Sequence, residues 1–248
     1  MRIVTQKSAG SLMLLYLIFG VAWVCNAEEP VADLRVWMTE TFDSLDQWEP
    51  LAFPKIKRHT VYSIAQENGD NVLKAETDNA ASGLVYTKTF NVYECPVVRW
   101  RWKIRNVYEK GDAREKKGDD YPIRVYVIFK YDPARADFLT KATYRIAKAI
   151  YGEYPPHSSL NYIWANRHQE TLMLPNPYTD RAMMVILRTG DAGAGTWVTE
   201  SVDVLADYRK AFLQDPPAEA SLAVMSDSDD TGEKATAFID HIEVLCQR

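Results

Sequence analysis

The densest polar chemistry in this 248-residue chain lies at Gly118-Asp119-Asp120 and the segment that follows, which carries Arg124 and Tyr126. Carboxylates accept hydrogen bonds, a guanidinium donates them, and a phenol ring adds an apolar face with a polar tip. Further along, Asn161, Trp164, Asp180 and Arg181 supply an amide, an indole and a second carboxylate–guanidinium pair. A sugar calls for this mixture, because its hydroxyls need coplanar donors and acceptors and its C–H patch needs a ring to lie against. The same residue types serve equally well as an internal ion-pair network holding two sheets in register. Used for catalysis, the set would give a hydrolase two carboxylates, Asp120 and Asp180, flanking a scissile bond. A lyase would use Tyr126 as base and Arg124 as the cation that neutralises a uronate.

A second group is Asp227-x-Asp229-Asp230-x-Gly232, where alternating carboxylates before a glycine could hold Ca²⁺ through several oxygens. The closing glutamate of a twelve-residue calcium loop is not in place, and a solvated hairpin turn is the competing reading. There is no G-x-S-x-G elbow, H-E-x-x-H, C-x-x-C or G-x-x-x-x-G-K in the chain. The glycine-rich Gly190–Gly195 stretch reads as a hairpin loop before Trp197, and His59, His157, His168 and His241 show no metal-ligand spacing. No cofactor is called for, and calcium is the ion these residues could hold.

The elements that must position these groups are mostly strands. Ile123, Val125, Val127 and Phe129 fall on one face of an alternating segment, and Arg124, Tyr126 and Ile128 fall on the other. Such period-two alternation marks a strand between a dry core and a wetter face. Val98, Trp100, Trp102 and Ile104 repeat the pattern, with Arg99, Arg101 and Lys103 on a basic, solvated side. A strand followed by a turn is read at 40–48, a hairpin about Gly69-Asp70, and further strands at 82–90, 160–165, 182–188, 197–202, 222–225 and 235–245. Two segments read as helices. One runs from Ala134 to Ile150 with Phe138, Ala142, Ile146, Ala149 and Ile150 on its apolar side; the other is N-capped by Asp203 and carries Leu205, Tyr208 and Phe212. Strands interrupted by two helical insertions predict an all-β fold, a single jelly-roll-like sandwich over residues 39–248.

The net charge of −5 gives no basic footprint for nucleic acid. Arg2 and Lys7, the apolar run Leu12–Val24 and the small residues ending at Ala27 have the layout of an export signal over residues 1–27. An uncleaved N-terminal anchor is the alternative. Residues 28–38 read as a tether, and no membrane span is expected after cleavage. The expected location is therefore periplasmic or secreted. Cys95 and Cys246 would remain in an oxidising compartment, either as a disulfide or as two buried thiols.

Several phrases taken in order carry a resemblance. They are Trp100-Arg101-Trp102-Lys103, Gly118-Asp119-Asp120 with Arg124-Val125-Tyr126, Leu160-Asn161-Tyr162-Ile163-Trp164-Ala165, Tyr178-Thr179-Asp180-Arg181, and Met225 through Gly232. Together they resemble an exported bacterial family known as domain of unknown function three thousand and forty-seven. A looser similarity is to galactose-binding-like and carbohydrate-binding jelly rolls, through Glu40-Thr41-Phe42 and Phe238-Ile239-Asp240-His241-Ile242. That similarity implies a structural calcium near Glu40 and Asp240, with a metal-free, hydrogen-bonded Asp240 as the alternative; the alternation with Phe238 and Ile242 points Asp240 inward. The expected function is recognition of a glycan or other small envelope ligand without chemistry. A carbohydrate-active enzyme in the same cleft is the alternative, and an envelope interaction protein is the third class.

Overall fold

A computed structural model describes residues 34–134, 138, 141, 142, 144, 145, 148 and 154–248. The export-signal reading therefore lies outside the described residues, as do Ile146, Ala149 and Ile150. Two sheets pack as a jelly-roll-like sandwich. One sheet orders its strands β11-β6-β13-β4-β3, with β1 also on β13, and the other orders them β2-β5-β12-β7-β8-β10-β9. The first comprises β1 (Leu34–Glu40), β3 (Val61–Glu67), β4 (Asp70–Asp78), β6 (Val97–Ile104), β11 (Val198–Asp203) and β13 (Lys234–Gln247). The second comprises β2 (Trp48–Leu51), β5 (Ala81–Asn91), β7 (Arg124–Phe129), β8 (Ser158–Ala165), β9 (Met173–Asn176), β10 (Thr179–Thr189) and β12 (Glu219–Asp227). Among the described residues, no helix is long and apolar enough to cross a membrane.

Alternation in the strands builds the core directly. Val98, Trp100, Trp102 and Ile104 of β6 are fully buried and face Leu160, Tyr162 and Trp164 of β8 across the sandwich. Ring centroids lie 5.4 Å apart for Trp100–Tyr162 and 5.9 Å for Trp102–Trp164, so an aromatic seam joins the two sheets. The basic side of β6 is not simply solvated. Arg99 pairs with Glu243 and Arg101 with Asp240 on the neighbouring β13, and Lys103 reaches Glu67 at the end of β3. Lys103 also lies over the rings of Trp197 and Phe238. The β3–β4 hairpin turns through Asn68 and Gly69, both with positive φ, the backbone that a two-residue primed turn requires. β10 runs parallel to β8 because β9 forms the edge and returns the chain, so the crossover is a strand and not a helix.

Four sequence readings are corrected. Residues 34–38 of the expected tether belong to β1, whose last residue, Glu40, begins the segment read as the first strand; the chain then turns before β2. β1 pairs with Ile242–Gln247 of β13, and its side chains are mostly exposed, so it carries little alternation to read. In the Ala134–Ile150 segment, helical conformation is present at 138, 141, 142, 144, 145 and 148, yet Phe138 and Ala142 are exposed. Among the described residues of that segment Tyr144 is the buried one, and it stacks on Tyr131 with centroids 3.8 Å apart. Gly190–Gly195 and the loop after Asp227 are not hairpins, because each carries the chain from one sheet to the other. The second helix, α1 (Val204–Phe212), follows its reading closely. The Asp203 side chain accepts the Ala206 amide at 2.9 Å, and Val204 and Tyr208 are buried.

The long β6–β7 connection matters most for function. Its Ala113 and Tyr121 pack against Ile163 and Ala165 of β8 and Met184 and Ile186 of β10, on the outer face of the seven-stranded sheet. Gly118 lets the connection fold on itself, since a Cβ there would lie 2.4 Å from the Asp112 backbone nitrogen. Beside this cover the outer face stays open, and the polar residues of β7 and β8 line the opening.

Candidate functional site

Register places the chemistry. Arg124 sits opposite Met225 of β12 and Ile163 of β8, and Tyr126 sits opposite Ala223 and Asn161, so Arg124, Tyr126, Asn161 and Met225 share the outer face. They line a cleft of about 550 Å³, within the range of small-ligand sites. Phe53, Lys55 and Ile56 from the loop after β2 form one wall; Asn176 and Tyr178 at the β9–β10 turn form another. Asp119, Asp227, Asp229 and Asp230 supply the acidic lining.

Arg124 is buried at 3% exposure, and its charge is shared between two carboxylates. One Nη donates to Asp227, the other lies 3.6 Å from Asp119 Oδ1, and the guanidinium sits 4.8 Å from the Tyr121 ring centre. Burial works against the Arg124 charge, but the surrounding phenols and carboxylates outweigh it and hold the pKa above the ordinary arginine value. Asp227 is anchored a second time, because its Oδ1 accepts the Tyr121 amide at 3.0 Å. Burial pushes Asp119 upward, and Arg124 and the Asn176 amide pull it back. Asp120 is fully buried behind the cleft; its Oδ2 accepts the Thr231 amide at 2.6 Å, and burial raises its pKa to about 6. Asp229 is raised by burial and then by Asp230.

The amides and rings are also fixed. Asn161 Oδ1 accepts the Ser159 hydroxyl at 2.7 Å, and Asn176 Nδ2 donates to Asp119 at 2.8 Å. The Tyr178 hydroxyl donates to Asp230 at 2.8 Å, holding a half-exposed ring at the rim. Burial raises the pKa of Tyr126, so its phenol stays protonated.

Sequence reasoning therefore meets the structure unevenly. Asp119, Arg124, Tyr126 and Asn161 line one cleft, with Asp120 packed behind it. Trp164 does not reach the cleft: it faces the inter-sheet core, and its indole donates to the Gly190 carbonyl at 2.8 Å. Asp180 and Arg181 line a separate hollow with Tyr144 and His157, where Arg181 donates to the Tyr144 hydroxyl at 2.6 Å. Glu40 and Asp240 do not converge on a cation site. Glu40 accepts from the Phe42 amide and the Trp48 indole, whereas Asp240 pairs with Arg101. A bulge between Ile239 and His241 reverses the alternation of β13, so Ile239 and Ile242 face the core and Asp240 faces outward. Asp227 and Asp229 are not in a solvated turn, since Asp227 is buried and Ser228 beside it is fully so. Not named as site residues from sequence are Asn176, Tyr178, Met225 and the Phe53–Ile56 wall. Tyr178 and Met225 each opened a phrase of the family resemblance, whereas Asn176 and the wall gave no signal.

Solved structures of similar shape are distant. A family 11 carbohydrate-binding module from Clostridium thermocellum, in complex with a β-1,3-1,4-mixed-linked tetrasaccharide, is 11% identical with a TM-score of 0.41, over 85% of this chain and 94% of that one. Endoglucanase 3 of Trichoderma harzianum, from family GH12, is 7% identical with a TM-score of 0.40, over 87% and 98%. The CBM22-1 xylan-binding domain from Paenibacillus barcinonensis is 11% identical with a TM-score of 0.35, over 86% and 96%. At such scores none of them bears on the ligand of this cleft. No curated protein matches the chain. A family model does match, over residues 46–243, and the chain belongs to that family, described as protein of unknown function DUF3047.

Proposed function

We propose that the protein is an exported, non-catalytic binding module whose cleft takes a glycan or a similar hydroxyl-rich ligand of the cell envelope. The observation that carries this reading is a single open cleft of about 550 Å³ in which Tyr126 and Tyr178 stand beside the amides of Asn161 and Asn176. Rings give a sugar its apolar contact, and amides pre-set by neighbours orient its hydroxyls with little further loss of freedom. The Cys95–Cys246 disulfide supports an extracytoplasmic location, where such bonds persist.

Two features weigh against chemistry in this cleft. A lyase base should have a pKa near the working pH, whereas burial holds Tyr126 protonated. The carboxylates available to a hydrolase do not pair as expected, because Asp120 is sealed and Asp180 lies in another hollow. The test is a glycan array followed by calorimetry on any hit, with Tyr178→Ala and Asn161→Ala in parallel. Each variant should weaken binding about tenfold or more, which is about 1.4 kcal/mol. An array without signal, together with oligosaccharide pools that leave the melting temperature unchanged, sinks the reading. Release of reducing ends or unsaturated product, abolished in Tyr126→Phe, would establish the enzymatic alternative in its place.

A further inference from the structure

Among the described residues, Asp120, Asp227 and Asp229 each bring one carboxylate oxygen to within 4.8 Å of the others. An ion with oxygen ligands at about 2.4 Å spans that spread. Acidic clusters are common without metals, so the state of each side chain decides the matter.

Asp120 is the informative member. It has no exposed surface, and its Oδ1 accepts no hydrogen bond from the described residues. Leaving a buried carboxylate oxygen without a partner is costly, and native structures rarely do so without an ion or water there. Asp227 is anchored by Arg124 and by the Tyr121 amide, one to each oxygen, and each oxygen has a further acceptor direction. Asp229 is half-buried, lines the cleft and makes no ion pair among the described residues. Arg124 is the buried cation close by, and it is shared between Asp119 and Asp227. Negative charge at this wall therefore exceeds the positive charge that answers it.

We propose that Asp120, Asp227 and Asp229 form a binding site for one calcium ion at the wall of the cleft. The donors are all carboxylate oxygens, with neither thiolate nor imidazole among them, which suits a hard cation. Three carboxylates leave coordination positions for water on the side where Asp227 and Asp229 meet the cleft. The site stands on its own donors and does not depend on the glycan reading.

The test uses the full chain, stripped with a chelator and titrated with CaCl₂ by calorimetry, with MgCl₂ as a second arm. Thermal melting is measured with and without the ion. One equivalent of Ca²⁺ should bind with a dissociation constant of roughly 1 mM or tighter and raise the melting temperature. Asp229→Asn, at the half-buried position, should melt like the stripped wild type and lose at least about tenfold in Ca²⁺ affinity. Asp120→Asn, which can keep the Thr231 hydrogen bond, should behave likewise. The proposal fails if Ca²⁺ up to about 10 mM gives neither heat nor a thermal shift. It fails equally if only Mg²⁺ binds, or if both variants retain wild-type affinity.

Discussion

Arg124 is the residue on which the cleft floor depends. Removing it by Arg124→Leu strands Asp119 and Asp227 in a buried setting, which should cost roughly 3–5 kcal/mol in urea denaturation. Arg124→Lys keeps a charge but loses the planar fork, and its stability should fall between the two. Asp112 offers a pH handle in the connection that covers the sheet. Its hydrogen bonds and ion pair with Arg114 hold its pKa down to about 2. A carboxyl lowered on folding stabilises above its unfolded value of about 4, and that stability drains away as pH falls toward the folded value. Wild type should therefore outmelt Asp112→Asn near neutrality, and the gap should close between about pH 4 and pH 2. At this scale the sequence was partly legible. Arg124 and Tyr126 stand two apart on an alternating strand, so they had to share a face. Asn161 and Trp164 stand three apart on β8, so the same rule assigns them to opposite faces and excludes Trp164 from the cleft. Nothing local announces that Asp227 would meet Arg124, because 103 residues separate them.

Elements fail to read where their backbone, and not their side chains, does the work. β13 shows this best: one extra residue at Asp240 turns its outer half over, and simple alternation then assigns every later residue to the wrong face. β1 is held by backbone pairing to β13 and displays Val36 and Trp37 to solvent, so its apolar residues follow no period. The α1 terminus yields a stability prediction. Leu213 closes the helix in the left-handed region at φ 55°, with 89% of its surface exposed. Leu213→Gly should raise stability by about 1 kcal/mol, since it relieves backbone strain and surrenders almost no buried contact. The urea midpoint should move up with an unchanged slope. Gly118→Ala should act in the opposite direction, because its new methyl group would strike the Asp112 backbone; overpacking of this kind costs roughly 1–3 kcal/mol.

At the scale of the molecule, the described residues build a sandwich whose class was readable from alternation, whereas its strand order was not. Nothing in the residues themselves says that β13 lies between β6 and β4, because pairing partners are chosen by packing across the full chain. The Cys95–Cys246 bridge closes 151 residues of sequence and fastens the end of β13 to the entrance of β6. Replacing both cysteines with serine should cost roughly 2–5 kcal/mol, read as a lower thermal midpoint that reductant no longer affects. β13 follows all of its neighbours in sequence yet occupies the middle of its sheet, holding β6 on one edge and both β1 and β4 on the other. A ribosome that has released everything up to α1 has thus delivered flanks without their keystone. The six-stranded sheet can therefore close only when β13 is present, because β1, β4 and β6 each find their common partner in it.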